Sequence, residues 1–137
     1  MIYSFLRFFS NDLGSGLGFH IQYESTYVSK WTYKFGECGG SFSTPNGMLT
    51  SPSYPDNYPE FADCVYTISQ PAGTIILLIF HSMDIHDCMQ TCACNEWCCG
   101  YLDIRDGATS SSPLLDRLCG SKIPAPIKSR HNRLWMR

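Results

Sequence analysis

The sequence predicts an all-β domain, a sandwich or barrel, stapled by disulfides. Three observations carry that reading. The apolar residues fall in short runs, alternating with polar ones or rich in β-branched and aromatic types, and almost none recur at helical spacing. Pro and Gly, 8 and 11 of 137 residues, punctuate the chain between those runs. Eight cysteines, an even number, are more than a reducing compartment ordinarily supports unless a metal holds the thiolates.

Element by element, residues 2–9 alternate and read as a strand, Asn11 to Gly18 as a Gly/Ser turn region, and Phe19 to Tyr23 as a second strand. The two are expected to pair as a β-hairpin with a long loop. Residues 24–37 are polar and aromatic without a core pattern, as in a linker or bridging segment. Met48 to Thr50 is a short strand, and Ser51 to Pro59, with three prolines, is a surface loop. Cys64 to Ile68 alternates as a strand, Gln70 to Gly73 is a turn, and Thr74 to Phe80 is a buried strand. Residues 86–99 form a cysteine-dense loop. Tyr101 to Arg105 is a strand closed by the turn signal Asp106-Gly107, Thr109 to Pro113 is loop, Leu114 to Cys119 leads into Gly120, and Leu134 to Arg137 begins one more strand.

The charge pattern narrows the partners. Only 16% of residues are charged, and the formal net charge of −2 gives no global pull toward nucleic acid or an anionic membrane. From Glu37 to Asp116 there are ten acids and one base, Arg105; after Asp116 come only bases, namely Arg117, Lys122, Lys128, Arg130, Arg133 and Arg137. Either strands from the two stretches interleave and neutralise each other, or the basic stretch forms a docking edge for an acidic partner. The longest apolar run, Ile75 to Phe80, is too short to span a bilayer, so no membrane insertion by this segment is expected. Met1 to Phe9 lacks the basic start and cleavage site of a signal peptide, so an export signal is expected outside these residues.

Seven ordered blocks now fit one pattern: Cys38-Gly-Gly; Gly47 to Pro59; Cys64 to Ile68; Pro71 to Phe80; Tyr101 to Gly107; Leu118-Cys-Gly120; and Asn132 to Arg137. In this order and spacing they resemble a CUB domain over residues 38–137. Phe5 to Phe8, Ser10-Asn11 and Gly18 to Tyr23 resemble the last two strands of the same family. The chain therefore resembles residues 1–23 as the tail of one CUB domain, 24–37 as linker, and 38–137 as a second CUB domain that breaks off inside Leu134 to Arg137, short of its closing strand. Tandem arrays of this kind occur in cubilin-like receptors and tolloid-like proteases. The resemblance implies a two-sheet, jelly-roll-like antiparallel β-sandwich used for extracellular protein recognition, in a secreted or cell-surface protein. The 14 residues between Tyr23 and Cys38 reach up to roughly 46–50 Å when extended. Residues 2–23 are accordingly expected to complete the second sandwich, within the chain or by strand-swapped self-association.

The family pattern also implies a Cys38–Cys64 disulfide and a second between the loop before Tyr101 and Cys119, for which Cys98 is preferred over Cys99. The remaining loop cysteines, Cys88, Cys92, Cys94 and Cys99, are then expected to pair among themselves. A zinc or soft-metal site with His81 or His86 is the alternative, but the C-x3-C-x-C-x3-C-C spacing matches no common zinc motif. Many family members hold Ca²⁺ through three acids; the corresponding positions here are His86, Gly100 and Asn11, with Asp12 adjacent. Imidazole and glycine cannot supply carboxylate oxygens, so no cofactor is expected. Asp84, Asp87 and Asp103 are the remaining calcium candidates.

No nucleophile–base arrangement, H-E-x-x-H or phosphate-binding loop stands out among His20, His81, His86, His131 and the acids, so the chain is not expected to be an enzyme. Tyr54, Tyr58, Phe61 and Trp97, aromatics on predicted loops, are the candidate ligand-binding residues; the plainer reading is that they pack beneath Pro-rich turns. Trp135, Phe80, Leu78 and Ile76 are expected in the core. The resulting function is a non-catalytic extracellular protein-binding module, an endocytic-receptor segment or a protease accessory arm. A structural matrix or mineral-associated protein is the alternative.

Overall fold

The computed structural model describes residues 8–10, 15–25, 38–86 and 100–137. They form β1 (Phe8–Ser10), β2 (Gly18–Ser25), β3 (Gly40–Phe42), β4 (Asn46–Thr50), β5 (Asp63–Cys64), β6 (Tyr66–Ser69), β7 (Ile76–Asp84), β8 (Gly100–Arg105), β9 (Leu114–Leu118), β10 (Ile127–Lys128) and β11 (Arg133–Met136). One sheet runs β3-β6-β11-β8-β1-β5, with β9 also paired to β8; the other runs β10-β7-β2-β4. All the pairings are antiparallel except β3 with β6. The two-sheet sandwich is thus the architecture that the family resemblance implies, where alternation and turn chemistry alone left sandwich or barrel.

Period-2 alternation decides what each sheet buries. In β2, Phe19, Ile21 and Tyr23 are fully buried, whereas His20 and Gln22 lie on the outer face. Phe19 meets Phe8 of the opposite sheet edge to face at 5.4 Å and Tyr66 at 5.6 Å. Gly47 lets Tyr23 lie across β4, since a Cβ there would sit 2.6 Å from the Tyr23 ring. The Tyr23 hydroxyl then reaches Thr44 Oγ1 at 2.6 Å. Gly18 enters β2 with φ +79° against Ser51, whose hydroxyl accepts the Phe19 N–H at 3.0 Å.

In the expected hairpin of residues 2–9 with 19–23, residues 2–7 lie outside the described residues, and the described strands β1 and β2 do not pair with each other. β1 pairs with β5 and β8, and β2 with β4 and β7, so the two strands belong to different sheets and face each other across the core. Alternation specifies which side of a strand is apolar, not which strand lies beside it. The long connection leaves room to cross from sheet to sheet.

β1 and β11 lie end to end along β8. Trp135 is opposite Arg105, Met136 opposite Ile104, and Arg137 exchanges backbone hydrogen bonds with Asp103. Phe8 then takes the next rung, opposite Leu102, followed by Phe9 opposite Tyr101 and Ser10 opposite Gly100. β1 therefore prolongs β11 in the same direction and register. On the far side the same line is met by β6 and β5, which are consecutive in the chain.

Two charge arrangements follow from the strand order. Asp103, 3% exposed on the outer face of β8, receives both Arg117 Nε and Arg117 Nη2, the latter at 2.7 Å. Arg105 reaches the same carboxylate at 3.4 Å, and Arg137 approaches Asp63 at 3.8 Å. Acidic and basic stretches thus interleave at Arg117 and Arg137, while Lys122, Lys128 and Arg130 are exposed. Asp106, predicted as half of a tight turn, instead faces inward at 6% exposure and accepts the Arg130 and His131 amide protons. It ties a wider 106–113 loop to the segment before β11. Phe80, Leu78 and Ile76 are core, as expected. Trp135 is 5% exposed but lies outside the main core cluster, opposite Arg105, whose guanidinium covers its ring at 5.7 Å.

Candidate recognition surface at one end of the sandwich

Three described segments gather where β2 begins and β7 ends. Residues 15–17 lead into β2, residues 51–62 connect β4 to β5, and Asp84 to His86 leave β7. Ile85 bridges to Gly120 through N–H···O bonds of 3.0 and 2.7 Å, which brings the start of the 120–126 segment to the same end.

The 51–62 segment is anchored from within. Tyr58, predicted as an exposed ligand-binding residue, is 1% exposed and corrects that expectation. Its ring packs edge to face on Phe8 at 4.7 Å, and its hydroxyl accepts the His86 N–H at 2.9 Å. Its own N–H donates to Gly16 O at 3.0 Å. Burial raises the Tyr58 phenol pKa, so the group stays a neutral clamp between β1, β7 and the loop. A Pro-rich loop reads as surface, but its return path to β5 carries Tyr58 over the open end of the core.

Tyr54, preceding a cis Pro55, is half-buried with its ring 5.4 Å from that of His20. Phe61 is 65% exposed and holds φ +57°, the left-handed region that a bulky residue rarely adopts. Leu17 and Ile123 are 48% and 50% exposed. Leu17 donates its N–H to Asp84 and so belongs to the end that carries Asp84 and Ile85; Ile123 follows Gly120, which bridges to Ile85, by three residues. Trp97 lies outside the described residues. Phe61 is thus exposed, as expected for a loop aromatic, and Leu17 and Ile123 are exposed apolar residues that the sequence reading did not single out. Leu17 stands between Gly16 and Gly18 and Ile123 before Pro124, and only their lack of cover in three dimensions distinguishes them.

The calcium candidates are not brought together. Asp103 lies on the other sheet with its carboxylate bound by Arg117 and Arg105, which corrects its candidacy: a carboxylate already matched by guanidinium hydrogen bonds is not a free hard-oxygen ligand. Asp84 Oδ2 accepts the Leu17 N–H at 3.3 Å, and Asp87 is outside the described residues. Two of the positions that correspond to the family's acids, His86 and Gly100, lie close together, and Asn11 is outside the described residues. A Cβ on Gly100 would sit 3.6 Å from His86 O and 3.5 Å from the Tyr58 hydroxyl, and Ser10, just before Asn11, pairs with Gly100. With His86 and Gly100 there, those two positions do not fit Ca²⁺. Among the described residues no group of three or more His, Cys, Asp or Glu side chains is placed to hold a metal.

Cys38 and Cys64 are disulfide-bonded, tying the start of residues 38–137 to β5. Cys119 is also disulfide-bonded; its expected partner Cys98, with Cys88, Cys92, Cys94 and Cys99, lies outside the described residues. At the opposite end, Asp106, His131 and Ser129 bring together the residue types of a nucleophilic triad, which the sequence did not suggest. His131 Nδ1 lies 3.4 Å from Asp106 Oδ2. Yet Ser129 Oγ accepts the Ile76 N–H at 2.7 Å and donates to the His131 carbonyl at 2.6 Å. Its proton is spent on a backbone oxygen, not on the imidazole, so the cluster clamps a turn.

Comparison with known proteins supplies the family. The model of the CUB domain matches residues 38–137. Human cubilin is 36% identical over 107 residues, 78% of this chain and 3% of that protein. Mouse tolloid-like protein 1 is 38% identical over 111 residues, 81% of this chain and 10% of that protein. Pig cubilin is 32% identical over 137 residues, covering 97% of this chain and 3% of that protein. The chain thus spans a tenth or less of the length of these three relatives.

Proposed function

Because the chain belongs to the CUB domain family, we propose that it is a non-catalytic, extracellular protein-recognition module of a larger secreted or membrane-tethered protein. The observation that carries this reading is Phe61. An aromatic ring 65% exposed, on a backbone held at φ +57°, gains little from burial and bears local strain. The loop beneath it is pinned by Tyr58 and Ser51, so the ring is offered rigidly, as interface anchors are. Leu17 is a second exposed apolar side chain at that end of the fold, and partner binding is assigned to it.

The domain division is part of the proposal. Residues 1–23 are taken as the closing strands of a preceding CUB domain, filling the equivalent places in the second. The continuous register from Arg137 to Phe8 along β8 supports this. So does the match to pig cubilin, which extends over 97% of the chain although the family model begins at Cys38. Strand exchange between two copies would use the same contacts and is the self-association such a fold allows.

The test is capture from extracellular fluid by the immobilised chain, compared with its Phe61→Asn variant. Asparagine tolerates the left-handed region, so the variant keeps its melting temperature. A saturable protein partner whose binding falls at least tenfold in Phe61→Asn supports recognition at this end. Bulk adsorption to matrix or mineral, equal for both forms, favours the structural alternative instead.

A further inference from the structure

The outer face of the β10-β7-β2-β4 sheet carries a pair of imidazoles created by a fold irregularity. β2 pairs with β7 in register until His20, which lies opposite Ser82; the next residue, Ile21, lies opposite Phe80. His81 is therefore the extra residue of a β-bulge, and the bulge re-aims its side chain. Its ring centroid lies 5.3 Å from that of His20, with the planes inclined by 37°. Two imidazoles sharing one tetrahedral ion at about 2.0–2.1 Å per metal–nitrogen bond have their centroids about 5 Å apart, so the observed separation is one at which a shared ion fits.

The hydrogen bonding is also that of ligands awaiting an ion. His81 Nε2 lies 2.7 Å from Gln22 Oε1. An amide oxygen only accepts, so in the tautomer that makes this hydrogen bond the proton is on Nε2 and the lone pair on Nδ1. His20 Nε2 is buried and has no hydrogen-bond partner, which is uncommon for a ring nitrogen and calls for an occupant. Tyr54 covers the other side of the His20 ring at 5.4 Å. His81 is exposed.

We propose that His20 and His81 form a cross-strand chelate for a borderline divalent transition-metal ion of the zinc and copper class, with water completing the shell. Nitrogen donors select these ions over Ca²⁺. The site is separate from the His86–Gly100 end, where the family's calcium-binding positions fall. Its ligands also come from two different parts of the chain: His20 from the N-terminal strand β2, His81 from within residues 38–137. A bound ion therefore fastens β2 to β7.

The test titrates the full-length, oxidised, EDTA-stripped chain with Zn²⁺ at pH 7.5 and again at pH 5.5, following the melting temperature and the imidazole NMR signals. At pH 7.5 the proposal expects one ion per chain, a rise in melting temperature, and shifts confined to His20 and His81. His81→Ala, a change at an exposed position, should weaken Zn²⁺ affinity at least tenfold. Acidification to pH 5.5, where protons compete with the ion for ring nitrogens, should weaken it in the unaltered chain as well. Undiminished affinity in His81→Ala, or Zn²⁺ shifts at His86 or His131 with His20 and His81 unmoved, would overturn it.

Discussion

Residues 38–64 and residues 8–25 contribute comparably to the core, yet different physics holds them in place. The first stretch is closed by the Cys38–Cys64 disulfide, a loop with a sequence separation of 26. The second supplies Phe8, Phe19, Ile21 and Tyr23, all fully buried, and its described residues hold to the rest by strand pairing and side-chain packing. The disulfide acts mainly by restricting the unfolded chain, and the N-terminal strands act only in the folded one. Losing the cross-link should therefore weaken the fold, whereas losing the strands should remove the fold's reason to close.

Deleting residues 1–25 is the largest test of that contrast. Burying one large apolar side chain contributes about 1.5–3 kcal/mol, so four together rival the roughly 5–15 kcal/mol by which a domain is stable. The truncated chain should show no cooperative thermal transition by circular dichroism; an unchanged midpoint would show that β1 and β2 are dispensable. Phe19→Ala, which empties the centre of the aromatic contact with Phe8 and Tyr66, should cost about 3–5 kcal/mol in urea unfolding. Replacing Cys38 and Cys64 together by Ala should cost about 2–4 kcal/mol for a loop of this size, read as a lower urea midpoint with the fold retained.

The smallest expected effect is on pH dependence. Burial, and secondarily the nearby His81, hold the His20 imidazole below its ordinary pKa of 6.5. The unfolded chain then binds the proton more readily than the folded one. The His20 contribution to stability is complete above pH 6.5 and is lost as pH falls through the lower folded value. Stability should therefore decline on acidification through this window, and the slope should be shallower in His81→Ala, where the repulsion between the two rings is gone.

The errors of the sequence reading share a cause with its successes. The alternation of Phe19 to Tyr23 placed the right side chains in the core because strand periodicity is a property of neighbours. The hairpin assigned to that strand failed because pairing partners are chosen by the whole sandwich. Tyr58 read as exposed because its neighbours are Pro, Asn and Asp; the void it fills is built by Phe8 and His86, far away in the chain. Asp103 read as an available acid because Arg117, 14 residues on, becomes its neighbour only when β8 pairs with β9. His20 and His81, 61 residues apart, carried no signal as a pair, since a bulge cannot be read from either strand alone.

The sequence by itself determined the strand-built class, the oxidised cysteine pair at 38 and 64, and the core residues of the β2 and β7 strands. These follow from local alternation, turn residues and the ordered blocks of one family. Tertiary structure alone decided that β1 continues the line of β11, that β2 lies between β7 and β4, and which charges and rings meet. Those outcomes depend on packing and hydrogen bonds between residues distant in the chain, which compete over the whole fold and leave no mark in any short stretch of residues.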